Sequence, residues 1–288
     1  MKILIAASEC APFCGTGGLS DVIRSLSGSL KAKQHDVRIV LPKYKAVGAF
    51  QDQLRSLGLR CLIPIGDSYE TIRLWEFISG HTQCPVYFVD SPKYYDRDHL
   101  YQGFDGKPYP DNDERFILFC RAALETCKAV DFRPDIIHSH DWHAGLIPAY
   151  LSTLYRIDSF FLPTASVHTV HDIANQGLFP KNTHFHAGFP WSDYVPERLE
   201  YYGQFNFLKA GLVFADVLTS PTFGFWKNVQ EHPETGQGLA GVVGSRSLDC
   251  ATVVNGTDEE GWSESAENYL LIYKTALEKM KSRIARPD

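Results

Sequence analysis

The sequence predicts an α/β protein built on a Rossmann-like, doubly wound, mostly parallel sheet, and three observations predict it. The chain opens with an apolar run, Ile3-Leu4-Ile5-Ala6-Ala7, nearly without polar alternation, as in a strand buried on both faces. A loop holding Pro12, Gly15, Gly17 and Gly18 follows, and a helical repeat then sets Leu19, Val22, Ile23, Leu26 and Leu30 on one face. Strand, glycine turn and helix form the opening unit of a doubly wound sheet. Further strands then end in polar turns, at His138-Ser139-His140 and at Thr169-Val170-His171.

The elements follow in order. Glycines let a backbone approach a ligand closely, and a helix N-terminus offers free N–H groups to an anion. The first loop therefore reads either as one wall of a sugar-nucleotide site or as a loop whose glycines serve packing. A dinucleotide fingerprint is weaker, because Ser20 stands where its third glycine belongs. The second strand, His35–Leu41, also ends in Pro42-Lys43 without the expected acid. Leu54–Ile65 leaves its type open. Glu70–Ile78 and Pro85–Val89 read as strands separated by a turn at Gly80. Asp90–Asp113 has no periodicity and reads as a long loop, with Tyr94, Tyr95, Tyr101 and Tyr109 either stacking on sugars or anchoring the surface.

Glu114–Val130 reads as a helix capped by Asp111 or Asn112. Pro134–Ile137 opens the strand to His140, Asp141-Trp142-His143 turns the chain, and Ala144–Leu154 is helical. Phe160–Val170 is the next strand, followed by a loop to Arg198. Phe205–Phe214 and Gly224–Gln230 are predicted helices, Val217–Thr219 and Ala251–Val254 strands, with a glycine-rich stretch at Pro233–Gly244. Ser263 should cap a last helix over Glu264–Ile284, acidic early and basic late as its dipole favours. Ligands of open α/β sheets sit at the carboxyl ends of the strands, so the first loop, the His140–His143 turn and His171 should meet in one crevice.

Composition narrows the function. A 44% hydrophobic, 22% charged chain of 288 residues is ordinary for a globular protein, and a net charge of −6 gives no reason to expect nucleic acid. No run is apolar enough to span a membrane, and the chain enters a strand at once, so no signal peptide is expected. Seven cysteines without a C-x-x-C suggest reduced thiols in a cytoplasmic setting.

Two constellations carry chemistry. His138 and His140 share one side of a strand, and with His143 they suggest a metal-dependent hydrolase, although no further acid or histidine cluster completes a ligand set. Asp141 beside Trp142 suits a sugar, the carboxylate accepting from hydroxyls and the indole covering the ring's C–H face; alternatively Asp141 caps a helix and Trp142 is core. His171, at a strand end, is a better functional candidate than His168 inside the strand.

Over nearly its whole length the chain resembles the N-terminal half of bacterial glycogen synthases and plant starch synthases. The matching blocks are Ser8-Glu9 with Gly17-Gly18-Leu19-Ser20-Asp21-Val22, Tyr109 with Asp111-Asn112 and Arg115-Phe116, His140–Gly145, Val167–His171, Gln176–Phe179, Asn206–Gly211 and Val254-Asn255-Gly256. The resemblance implies the first domain of a GT-B fold and retaining transfer of glucose from ADP-glucose to the non-reducing end of an α-1,4-glucan, with no separate cofactor. It implies that Thr16, Gly17 and Gly18 approach the donor phosphates. It also implies that Asp21, Tyr109, Asp141, Trp142 and His171 line the glucose and glucan site, that His171 assists near the anomeric centre, and that Asn255 lies near the domain hinge.

The sequence departs from the family at Gly15, where a lysine is usual, at Asp172, where asparagine is usual, and in a shortened Ala215–Thr222. Asn255-Gly256-Thr257-Asp258 also leads almost at once into Trp262-Ser263-Glu264, which resembles the family's returning terminal helix. The expected organisation is therefore a synthase-like domain over residues 1–262 and a cross-over helix over 263–288, without the nucleotide-gripping second domain. That implies maltooligosaccharide as partner, ADP-glucose bound weakly or not at all, and negligible synthase activity alone; the alternative is a non-catalytic glucan-binding or regulatory module.

Overall fold

The computed structural model describes residues 1–77 and 84–285. The expected turn at Gly80 lies outside the described residues. The chain runs β1 (Lys2–Ala6), α1 (Gly18–Ala32), β2 (Asp36–Pro42), β3 (Leu54–Ile65), β4 (Ser68–Phe77), β5 (Val86–Asp90), α2 (Pro92–Tyr95) and α3 (Asn112–Ala129). It continues through β6 (Ile136–His140), α4 (Leu146–Ser152), β7 (Ala165–Thr169), β8 (Leu178–Pro180), α5 (Thr183–Ala187), β9 (Glu200–Tyr201) and β10 (Gln204–Asn206). It finishes with α6 (Phe207–Phe214), β11 (Val217–Ser220), α7 (Phe225–Glu231), α8 (Pro233–Gly236), α9 (Ala240–Ser245), β12 (Cys250–Thr252) and α10 (Glu259–Ala285).

Nine strands form one sheet in the order β12-β11-β7-β6-β1-β2-β5-β4-β3. The first seven of that order are parallel, and β4 and β3 add an antiparallel edge. The predicted doubly wound, mostly parallel sheet is therefore present. β1, β5, β6 and β7 are buried along their length apart from Lys2, as continuous apolar runs demand. Helices α1 and α10 pack together against one face, and α3, α4 and α6 against the other.

Several expectations need correction. Leu54–Ile65, left open by sequence, is a strand whose partly alternating exposure marks a sheet edge. Phe160–Phe161 lie in turns, and the strand proper begins at Ala165, because Pro163 cannot donate to the ladder. The loop after β5 contains α2, opened by Pro92, and Tyr94 and Tyr95 are 1% and 0% exposed. They fill core and cannot stack on a sugar.

Asp111 occupies the N-cap position of α3, but its carboxylate takes Arg97 instead of a helix N–H. The glycine-rich stretch folds into α8 and α9. A small sheet, β8-β10-β9, has strands of only two or three residues, too short to leave an alternating pattern in the sequence. Helix α10 begins at Glu259, so Ser263 sits within it, accepting from Lys33 Nζ at 3.0 Å, and a boundary at 262/263 would cut the helix.

Candidate functional site

The strand order puts β7, β6 and β1 side by side, so the turns leaving them share one edge. The first turn is organised by Glu9, which is 4% exposed. Its carboxylate accepts from Thr16 N (2.7 Å), Thr16 Oγ1 (2.8 Å) and the Tyr101 hydroxyl (2.6 Å). The loop is thereby pulled closed, and Thr16, Gly17 and Gly18 stand at its exposed crest. A Cβ on Gly17 or Gly18 would meet nothing within 4 Å. Local packing does not require glycine there, which favours the ligand-approach reading over the packing one. At Gly15 the reverse holds: a Cβ would lie 2.5 Å from Ser20 Oγ and 2.6 Å from Ser20 Cβ. Asp21 is exposed in the first turn of α1 and pairs with Arg24 at 3.5 Å, an exposed contact of little energetic weight.

The second turn begins at Asp141, whose φ of 54° and ψ of −178° fall outside the regions ordinary side chains favour. Two hydrogen bonds hold it there: its amide donates to Thr169 O (2.9 Å), and Asp141 Oδ1 accepts from His171 N (2.8 Å). Burial pushes the Asp141 carboxyl up, opposed by His171 beside it. The first and second turns are joined through rings, Tyr101 against His143 (4.4 Å between centroids) and His143 stacked on Trp142 (3.9 Å). The Asp141–His171 bond joins the second turn to the third.

Trp142 does not present an open indole face. It is 9% exposed, with His143 stacked on it, the Phe116 ring edge-on at 4.8 Å, and Gly177 so near that a Cβ would lie 2.4 Å from Trp142 Cε3. It is part of the core, not a free platform. Tyr109 is half-buried, with the Arg97 and Arg115 guanidinium carbons 4.6 and 5.0 Å from its ring centre. Asp172 is exposed and caps its own turn, Oδ1 accepting from Ala174 N and Oδ2 from Asn175 Nδ2. Asn255 follows β12, two strands beyond β7, or about 10 Å along the sheet, and its buried Oδ1 has no partner among the described residues.

The histidines divide into structural and cleft groups. His138 commits both ring nitrogens, Nδ1 to the Tyr273 hydroxyl (2.9 Å) and Nε2 to Thr169 Oγ1 (2.6 Å). His168 is fully buried and bonded to Ser139 Oγ (2.8 Å), as expected of a core histidine. His143 faces Tyr101, Trp142 and Phe116. The trio His138, His140 and His143 therefore does not converge, and among the described residues no three His, Cys, Asp or Glu side chains are grouped to hold a metal ion.

Burial lowers the pKa of His138, His140 and His143 well below 6.5 and that of His168 to about 3. His171 is lowered by burial too, with Asp141 opposing. At neutral pH these imidazoles are therefore uncharged. Sequence reasoning missed Glu9 as a hub, Tyr101 as the link between turns, and His140 as the partner of His171. The usable signals were a buried-looking acid directly after a strand and the His-x-His spacing.

A mostly parallel sheet whose loops and imidazoles gather at the carboxyl edge of three adjacent strands defines the class, a doubly wound α/β domain with its candidate site at the strand ends. Residues 2–244 match the family model described as starch synthase catalytic domain, and the chain belongs to that family. It is 44% identical over 263 residues to the glycogen synthase of Elusimicrobium minutum, covering 91% of this chain and 54% of that protein. It is 41% identical over 268 residues to the glycogen synthase of Syntrophotalea carbinolica, covering 93% and 54%. Among solved structures it is similar to the catalytic domain of starch synthase IV from Arabidopsis thaliana bound to ADP and acarbose, with a TM-score of 0.78, 26% identity, and 91% and 52% of the two chains covered. The chain spans about half the length of the curated relatives it matches.

Proposed function

We propose that the chain supplies the glucan-facing half of a cleft that transfers glucose from ADP-glucose to the non-reducing end of an α-1,4-glucan. The observation that carries this reading is that three neighbouring turns are tied to one another, through Glu9, Tyr101 and His143 on one side and Asp141 and His171 on the other. Thr16, Gly17 and Gly18 would face the donor phosphates, and His171 and Asp141 the glucose being moved. Asp21, Tyr109, Trp142 and Asn255 would shape the walls. A retaining transfer needs stabilisation of an oxocarbenium-like centre and of a departing diphosphate, with water excluded.

The cations that grip the diphosphate belong, by family, to a second domain, so the 288-residue polypeptide alone should bind donor weakly and transfer negligibly. Calorimetric titration of the purified polypeptide with maltooligosaccharide and with ADP-glucose, run separately, tests this. Oligosaccharide binding with weak ADP-glucose binding is expected. Measurable glucan extension would overturn the predicted inactivity, and absence of oligosaccharide binding would overturn the glucan-facing assignment. Oligosaccharide binding with no ADP-glucose binding at all would favour a glucan-binding module.

A further inference from the structure

His140 is fully buried on β6, opposite Thr169 of β7. Its Nδ1 lies 3.1 Å from Nε2 of His171, with the two rings near parallel at 24°. Its other face meets the His138 ring at 4.1 Å, and its Nε2 has no hydrogen-bond partner among the described residues. Since His140 sits among imidazoles without a carboxylate on either ring nitrogen, it is neutral, and one nitrogen carries the only proton. Two arrangements are open. In one, His140 Nδ1–H donates to His171 Nε2 and a lone pair is stranded at His140 Nε2. In the other, His171 Nε2–H donates to His140 and an N–H is stranded instead.

Two features select the first. Stranded buried N–H groups are the rarer defect in folded proteins. The Asp141 carboxylate also accepts from the main-chain amide of His171, and since Nδ1 is the ring nitrogen nearer the main chain, negative charge there favours a proton on Nδ1 over Nε2. We infer that His140 is a positioning residue that fixes His171 as its Nδ1–H tautomer, so that His171 meets the crevice as a hydrogen-bond donor while its Nε2 is withheld from proton transfer. This deepens the proposed function, because it assigns His171 recognition of an acceptor oxygen in place of acid–base work.

The test is long-range ¹H–¹⁵N correlation spectroscopy on the ¹⁵N-histidine-labelled polypeptide at pH 8 without any glucan, His171 being assigned by its loss in His171→Gln. The wild type should show a protonated Nδ1 and an acceptor-type Nε2 at His171. His140→Phe, which keeps an aromatic ring but no donor, should release His171 to the Nε2–H form preferred by free imidazole side chains. His140→Asn, whose carboxamide N–H lies near the former Nδ1, should restore the wild-type pattern. Oligosaccharide affinity should drop about tenfold in His140→Phe and stay within about twofold in His140→Asn, as loss and retention of one hydrogen bond predict.

An Nε2–H or doubly protonated His171 in the wild type overturns the inference, and so does an unchanged His171 in a folded His140→Phe. The wild-type spectrum decides the matter even if that variant fails to fold. If the spectra match while nothing binds oligosaccharide, the glucan reading fails and the tautomer assignment stands.

Discussion

Asp141 shows how single residues are fixed at the crevice. A side chain held at φ 54° and ψ −178° costs about 1–3 kcal/mol, offset here by the bonds to Thr169 and His171. Asp141→Ala removes the acceptor and keeps the backbone demand, so it should lower stability by about 1–3 kcal/mol in urea denaturation. Asp141→Asn, which keeps Oδ1 as an acceptor, should lose clearly less; equal losses would show that the His171 contact contributes nothing. Gly15 makes the opposite point. Replacing it with Ala or Lys forces Ser20 aside, and overpacking of this kind costs about 1–3 kcal/mol. A Gly15→Lys variant with unchanged thermal stability would show that the loop yields freely. A lysine at this position is therefore a residue that this loop, with Ser20 where it is, does not accommodate.

At the scale of elements, α10 is the decisive piece. Its polar contacts run from one end to the other: Lys33 to Glu267 (2.6 Å), Tyr273 to His138 (2.9 Å), Lys279 to Asp249, and Arg283 to Asp216 (2.7 Å). Most of the ion pairs are partly exposed and contribute little each. The Tyr273 contact is fully buried, and Tyr273→Phe would leave His138 Nδ1 without a partner. That variant should be destabilised by about 1–3 kcal/mol, read from the urea midpoint at fixed m-value. No shift would mean that water replaces the hydroxyl.

The elements most legible in sequence were those with long, unambiguous periodicity: β1, α1, α3 and the body of α10. The tyrosines of α2 were misread because aromatic side chains look alike in sequence whether they fill core or line a cleft. The start of α10 was missed because a serine before two acids is a good cap signal, and nothing local reveals that the helix has already begun. In the crevice, the edge-forming turns were legible from strand ends. The Glu9 and His140 contacts join residues separated by 92 and 31 positions to their partners, and no local pattern encodes them.

The whole molecule keeps a set of imidazoles uncharged in its interior, and that ties its stability to pH. His138, His140, His143 and His168 hold folded pKa values below the free value of about 6.5, so above that pH both folded and unfolded chains are neutral there and stability is complete. As pH falls below about 6.5 the unfolded chain takes up protons that the folded one refuses, and each such histidine removes about 1.4 kcal/mol per pH unit. For His168 this loss continues toward pH of about 3. Urea melts at pH 7.5, 6.5 and 5.5 should give flat, then steeply falling stability. A stability constant down to pH 5.5 would show that these rings are charged or hydrated in the fold.

Strand β12 and helix α10 are joined by a tight corner. Gly256 lies so close to Trp262 that a Cβ would come within 2.2 Å of its nitrogen, so strand and helix are joined almost back to back, at the same rim as the crevice. All nine strands of the large sheet are already in register before that corner, and the helix beyond it returns across a finished surface. Polypeptide spliced in at this one point would lengthen a loop without altering any pairing, and it would emerge at the carboxyl rim of the sheet, two strands beyond the nearest of the three turns.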